Sequence, residues 1–277
     1  MKKKPQFWGI FADPSEFSRY VLPALPFVVL VAAYLAAAFF RNQANPDDKL
    51  LPTISKMADA VYRLACVPDE RTGGYLLWTD TWASLKRIGL GISLSAVTGL
   101  FLGLNIGMLP GFRCLSLNFI TFISNIPVLS TLPILFIVFG IDETAKVMLI
   151  FLGTFTTITR DINLTVQAVP QEQVIKALTL GASQRGVMYR IILPQIMPRL
   201  IENIRLSLGP AWLFLLAAEM IASTDGLGYR IFLVRRYLSM DIIIPYVLWI
   251  TFIAYAVDFA LRKWVVFQYP WYNVQKQ

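Results

Sequence analysis

The sequence predicts an all-α integral membrane protein with six transmembrane helices and both termini inside. Three observations carry that reading. Apolar residues make up 56% of the 277 positions and charged residues only 15%, against about 25% charged in an ordinary soluble domain. Mean hydropathy is +0.59, more apolar surface than one water-soluble core of this size can hide. Finally, the apolar residues gather into six segments, and the lysines and arginines between them favour one side.

The same arithmetic excludes disordered, collagen-like and coiled-coil classes. Histidine is absent, which removes imidazole bases, His-based triads and His-ligated metal sites. Cys66 and Cys114 are the only cysteines, too few for a structural zinc site. The topology sets them on opposite faces, which argues against a disulfide. No catalytic residue, metal site or cofactor is expected. The net charge of +8 suggests nucleic acid only in a soluble chain; here its distribution matters more than its total.

In order, the apolar segments are residues 20–40, 88–108, 115–140, 144–159, 206–222 and 242–261. Most approach the roughly 20 residues that cross a hydrocarbon core of about 30 Å. The first follows the basic start Met1-Lys2-Lys3-Lys4. It is too long and too late for a signal-peptide core, so an uncleaved span is expected. Phe7, Trp8 and Phe11 before it, and Trp264, Tyr269, Trp271 and Tyr272 at the other end, read as interfacial anchors. In the second, Gly99, Gly103 and Gly107 form a small-residue face for close helix approach, within the chain or in a dimer. The third contains Pro127 and Pro133, which predict a kinked or broken helix. Asn125 and Ser130 beside them are candidate path-lining residues, because freed carbonyls and small polar groups need water or protein nearby. The fourth is short and ends at Arg160-Asp161. The fifth and sixth carry Glu219 and Asp258, and a charge at the bilayer centre costs about 2.5 kcal/mol or more. Glu219, with Ser223, is a candidate for the outer mouth of a path; the alternative is a structural hydrogen bond.

With the N-terminus inside, the inner segments 1–19, 109–114, 160–205 and 262–277 hold 14 Lys/Arg and 5 Asp/Glu. The outer segments 41–87, 141–146 and 223–241 hold 11 and 10. Positive charge on the inside favours the N-in, C-in arrangement.

Residues 160–205 are too patterned for a slack connector. Pro170 suits a first helical turn, and Glu172 and Lys176 are a favourable i,i+4 pair. Val174, Ala177, Leu178 and Gly181 share one helical face. Gly181 is placed to end this helix and Ser183 to cap the next. That second helix runs to Ile191-Ile192-Leu193-Pro194, where proline is expected to bend or stop it. The small residues Ala177, Gly181 and Ala182 on an exposed face point to a docking partner rather than to lipid.

The stretch Ala177-Leu178-Thr179-Leu180-Gly181-Ala182-Ser183, with Ile191-Ile192-Leu193-Pro194 beginning ten residues after the glycine, resembles the coupling-loop signature of ATP-binding-cassette importer permeases. Ile175 and Lys176 stand where that family has Glu and the first Ala. Ser84-Leu85-Lys86-Arg87 with Gly91, the turn from Gly140 to Lys146, Ala218-Glu219-Met220-Ile221 and Gly226-Leu227-Gly228-Tyr229 resemble the nitrate/sulfonate/taurine/bicarbonate branch. The resemblance covers about residues 84–264. It implies a type I importer permease subunit of a bacterial inner membrane, for a small polar solute: nitrate, a sulfonate such as taurine, bicarbonate or a small nitrogenous compound. It further implies separate ATPase subunits docked on Val174, Ala177, Leu178, Gly181, Ala182 and Ser183, a periplasmic binding protein, and a permease homodimer in membrane lipid. Residues 1–83 then form an N-terminal segment with the first span, 84–264 the permease core, and 265–277 a cytoplasmic tail. The chain contains no Gly-Lys pair and so no phosphate-cradling loop ending in Gly-Lys-Ser/Thr; it is not expected to be an enzyme. A self-sufficient ion-coupled transporter or channel is the competing reading, and a docking loop has no purpose in it.

The orientation has a direct test. An impermeant thiol reagent added to intact spheroplasts is expected to label Cys66 and spare Cys114; labelling of Cys114 alone reverses the topology.

Overall fold

Backbone groups in a bilayer must be satisfied within their own segment or its packed neighbours, and every regular element among the described residues is helical. The computed structural model describes residues 16–44, 49–70 and 73–274. The basic start at residues 1–4, the aromatic Phe7, Trp8 and Phe11, and Arg71 and Thr72 of the turn at 68–74 lie outside the described residues.

The membrane-length helices are α1 (Glu16–Ala44), α3 (Leu76–Met108), α6 (Glu143–Gln167), α9 (Leu193–Ala222) and α11 (Met240–Gln268). A sixth span is α4 (Pro110–Ser124) followed by a 3-10 turn and α5 (Leu132–Phe139), bent by 87° at the break. The shorter helices are α2 (Ile54–Cys66), α7 (Gln171–Thr179), α8 (Gln184–Val187), α10 (Leu227–Arg235) and α12 (Pro270–Val274). Each span outruns the apolar segment that marks it, because helices continue into the interface on polar residues. Positions 83/84 and 264/265 both lie inside a helix, α3 and α11.

The core is built on α3 and α6. A Cβ added at Gly91 would meet Ile150, at Gly99 Ile158, at Gly103 Ile162 and at Gly107 Val166. Every pair is 59 residues apart, so the two helices run parallel. Between them Ser95 and Thr154 follow the same spacing, and Thr154 Oγ1 donates to Ser95 Oγ at 2.7 Å. Of the two readings of the glycine stripe, packing within one chain is the observed one. From Arg87 to Gly107 is about 30 Å of helix. Since α6 starts beside Arg87 (2.5 Å from Arg87 Nε to Glu143 Oε2), the chain from Met108 to Glu143 must return across that whole distance. The bent α4–α5 pair therefore spans the bilayer as one unit. Asn125, Pro127 and Ser130 lie at its elbow, and Asn125 Nδ2 bonds back to Thr121 O at 3.0 Å.

Helix α9 lies antiparallel to both. It brings Ile196 and Leu200 to Ile162 and Val166 at one end, and Glu219 to Ser84 at the other. Helix α11 packs on α9 and α3 through Tyr246, Ile250 and Ile253. Helix α1 stands apart: Tyr34 Oη donates to Pro52 O at 2.7 Å, and Ala38 is buried, but its other apolar side chains are almost all bare. That is tolerable only in a lipid solvent.

Loss of the close α3–α6 approach is the test of this framework. Gly103→Ala puts a methyl 2.7 Å from Ile162 Cβ and Thr159 O and is expected to cost about 1–3 kcal/mol. Gly89→Ala meets nothing within 4 Å and is expected to be neutral or stabilising. Thermal unfolding of the detergent-solubilised protein compares the two.

Candidate functional site: the two ends of the bundle

One end of the bundle is locked by charge. Asp80, Ser84 and Arg87 occupy positions i, i+4 and i+7, a polar stripe on the first turns of α3. Arg87 is 3% exposed at its side chain and donates Nη1 to Glu219 Oε1 at 2.7 Å, joining α3 to α9. Its Nε and Nη2 take both oxygens of Glu143 on α6 at 2.5 and 2.7 Å, and Nη2 also reaches Asp225. Lys146 bridges Glu143 at 2.8 Å and Ser223 Oγ at 3.0 Å. Glu219 is 0% exposed. Its second oxygen accepts from Ser84 Oγ at 3.0 Å and from the Gly228 amide at 2.9 Å.

Asp80 holds the neighbouring α10. It accepts from Arg230 at 2.8 Å, from the Gly226 amide at 3.1 Å and from Tyr246 Oη at 3.2 Å. Burial is the largest single influence on Arg230 and opposes its charge, but the hydrogen bond to Asp80 together with that carboxylate's charge and nearby tyrosines outweighs it and holds the guanidinium above its usual range. Gly226 is needed here twice over. Its φ is +111°, and a Cβ would lie 2.5 Å from Glu219 and 2.7 Å from Arg87.

This corrects the sequence expectation for Glu219. It does not sit at an open mouth but inside a hydrogen-bonded network, because a carboxylate at that depth finds Arg87 before it finds water. Ser223 does reach a surface cleft of about 410 Å³, which Lys146 and Glu143 share. Arg230 is also an internal partner. Asp258 pairs with Arg205 on α9 at 2.9 Å and Arg262 at 3.1 Å. The roles of Arg87 and Asp80 were missed. The i, i+4, i+7 polar stripe was the available signal.

The opposite end carries the patterned loop. Helix α7 ends as Gly181 turns to φ +85°. The Ala182 amide bonds to Ala177 O and the Gly181 amide to Leu178 O, both at 3.0 Å. These are the paired bonds of a Schellman ending, which needs glycine at the left-handed position. Ser183 Oγ then accepts from the Gly186 amide at 3.1 Å and caps α8. Val174, Ala177 and Ala182 turn inward onto the core of Val187, Met188 and Ile192. The face expected to be exposed is therefore corrected: the outer surface is Ile175, Leu178, Leu180 (88% exposed) and Gly181.

Proline 194 does not stop the chain as expected. The preceding residues Met188–Ile192 form a π turn, with Leu193 N–H bonded to Met188 O, and helix continues to Ala222. The wider turn absorbs the missing proline donor. Nearby, Arg113 bonds Gln167 at 3.0 Å, and Tyr272 of α12 bonds Glu202 at 2.7 Å. The loop, the α3–α4 turn and the C-terminal helix thus share one end.

A bundle of membrane-length helices with a broken third span, a patterned loop at one end and a charge-locked mouth at the other defines a multi-pass membrane protein of transporter type. The family model described as binding-protein-dependent transport system inner membrane component matches residues 95–270. This chain belongs to that family. The taurine transport system permease protein TauC of Escherichia coli (strain K12) is 33% identical over 197 residues, 71% of this chain and 72% of that one. The nitrate import permease protein NrtB of Synechococcus elongatus is 28% identical over 212 residues, 76% of each. In fold, the chain is similar to a chain of the inward-facing MetNI methionine ABC transporter. The TM-score is 0.60 at 17% identity, covering 71% of this chain and 98% of that one.

The charge lock is tested by a double substitution. Arg87→Met leaves Glu219 buried without its cation and is expected to cost about 3–5 kcal/mol. Arg87→Met with Glu219→Leu removes both charges and is expected to recover part of that loss. Thermal stability of the solubilised single and double variants measures the coupling.

Proposed function

We propose that this chain is the permease subunit of an ATP-driven importer for a small oxyanion, of the nitrate or sulfonate class, and that it works as a pair of identical copies. The single observation that carries the reading is the α7–α8 loop. It is a rigid, glycine-terminated element that presents Ile175, Leu178 and Leu180 to solvent at one end of the bundle. Exposed apolar side chains grouped on one short loop, unlike singly scattered ones, mark a surface for a partner.

Separate ATP-binding-cassette subunits dock on this loop inside the cell, and a periplasmic binding protein delivers solute at the end locked by Arg87. The N-in, C-in charge bias supports that assignment. The chain lacks a Gly-Lys phosphate loop, so ATP hydrolysis belongs to the partner. Closure of the ATPase pair moves the two loops, and the continuous helix from Gln184 to Ala222 carries the displacement to Glu219. Transport requires that ATP and loaded binding protein favour different conformations of the pair. The relatives named for taurine and nitrate support a small oxyanion.

Gly181→Trp tests the docking surface. Nothing lies within 4 Å of the Gly181 Cβ position, and the residue is exposed, so the side chain leaves the backbone into open space. The left-handed φ costs about 1–2 kcal/mol, and the bulk stands on the docking face. The variant is expected to insert normally, lose co-purification with the ATPase subunit and lose uptake. Normal association and uptake overturn the docking assignment.

A further inference from the structure

Midway along the bundle, a cleft of about 140 Å³ opens between α6 and α9. It is lined by Gly153, Thr157, Asp161, Asn203, Ser207 and Pro210 among others. It runs from the middle of α6 to about 9 Å from that helix's C-terminal end. Asn203 is 5% exposed, and its amide nitrogen is buried without a hydrogen-bond partner, so it reaches a solute in the cleft only when the amide turns over by half a rotation. Such a group is destabilising unless something else meets it. Pro210 has no amide hydrogen, so the Leu206 carbonyl one turn earlier lacks its helical donor. The cleft therefore offers donors and acceptors that α6 and α9 leave unused, at a depth where lipid supplies neither.

One lining residue is ionised, and it is already paired: Asp161 meets Arg199 at 3.1 Å from Nε to Oδ2. Arg160 donates to Ser124 at 3.2 Å, beside the elbow of the bent span. The rest of the lining, Gly153, Thr157, Asn203, Ser207 and Pro210 included, is neutral. Gly153 is required there, since a Cβ would overlap the Phe214 ring. A volume near 140 Å³ equals about five waters at their liquid share of ~30 Å³, which suits a solute of a few heavy atoms.

We propose that this cleft is a solute subsite of the translocation path, in which the Asn203 amide, with Thr157 and Ser207, binds the oxygens of a small sulfonate or nitrate. The inference rests on the permease reading and adds the place and the chemistry of contact.

Two measurements on the full complex with ATPase and binding protein decide it. In a Cys66→Ser, Cys114→Ser background, Leu206→Cys, on the cleft wall and leaving the Asn203 amide in place, is exposed to 2-sulfonatoethyl methanethiosulfonate, itself a small sulfonate. Modification that taurine or nitrate slows by about tenfold is expected. No modification shows the cleft filled by lipid or by a second copy's helix and overturns the proposal, whether or not the complex transports. The second measurement is uptake of labelled taurine and nitrate by Asn203→Leu in proteoliposomes. Uptake is expected to fall about tenfold or more, as for a lost hydrogen bond to a charged group. Thermal stability is expected to stay level or rise, because an unpartnered buried donor has gone. Unchanged uptake, or a fall matched by lost stability, overturns the subsite. A wild-type complex that moves no solute with ATP instead overturns the permease reading, while cysteine modification still decides the cleft.

Discussion

The parallel contact of α3 with α6 fixes most of what this molecule can be. Glycine or serine at every fourth position of α3 lets Ile150, Ile158, Ile162 and Val166 seat directly on its backbone. In lipid there is no hydrophobic drive between helices, so such close dispersion contact is what holds them. Two helices that run parallel with one span between them force that span to cross back. It does so as the bent α4–α5 pair, whose break frees backbone groups at mid-membrane. The elbow, the polar surface beside it and the direction of every later helix follow from one packing choice.

Helix α9 then joins the two ends. Its C-terminal end is held by Glu219 in the Arg87 network, and its N-terminal end grows out of the π turn that follows the α7–α8 loop. A displacement of the loop cannot be absorbed by a hinge at Pro194, because the helix runs through it unbroken. It has to appear as tilt or shift of α9 against α6. That interface carries a cleft and a buried amide nitrogen without a partner. Tight packing on α3–α6 and looser packing on α6–α9 divide the bundle into a fixed part and a part able to move.

The sequence made the spans legible because apolar runs of about twenty residues have no other use. The loop was legible through Gly181 and Ser183, whose conformational roles are local and strong. What it concealed was partnership across the fold. Glu219 read as a lone charge because Arg87 lies 132 residues away. Val174 and Ala177 read as outward because one helix face cannot say which side its neighbours occupy. Asn203 drew no notice, since a single amide in an apolar span gains meaning only once its nitrogen is seen to lack a partner. Residues whose role is set by their own backbone were readable; residues whose role is set by a distant side chain were not.

The placement of charge also argues for how solute is handled. At the end that holds Glu219, the buried and half-buried cations among the described residues are paired: Arg87 with three carboxylates, Lys146 with Glu143, Arg230 with Asp80. A free guanidinium along the route would attract an oxyanion strongly and then retain it, whereas conduction requires binding weak enough to release. Neutral donors such as an amide and two hydroxyls meet that requirement. They compensate an anion's lost hydration without an opposite charge to escape from. On the proposed reading, strong and selective capture falls to a separate binding protein in water, and the membrane chain needs to supply only a weak resting point.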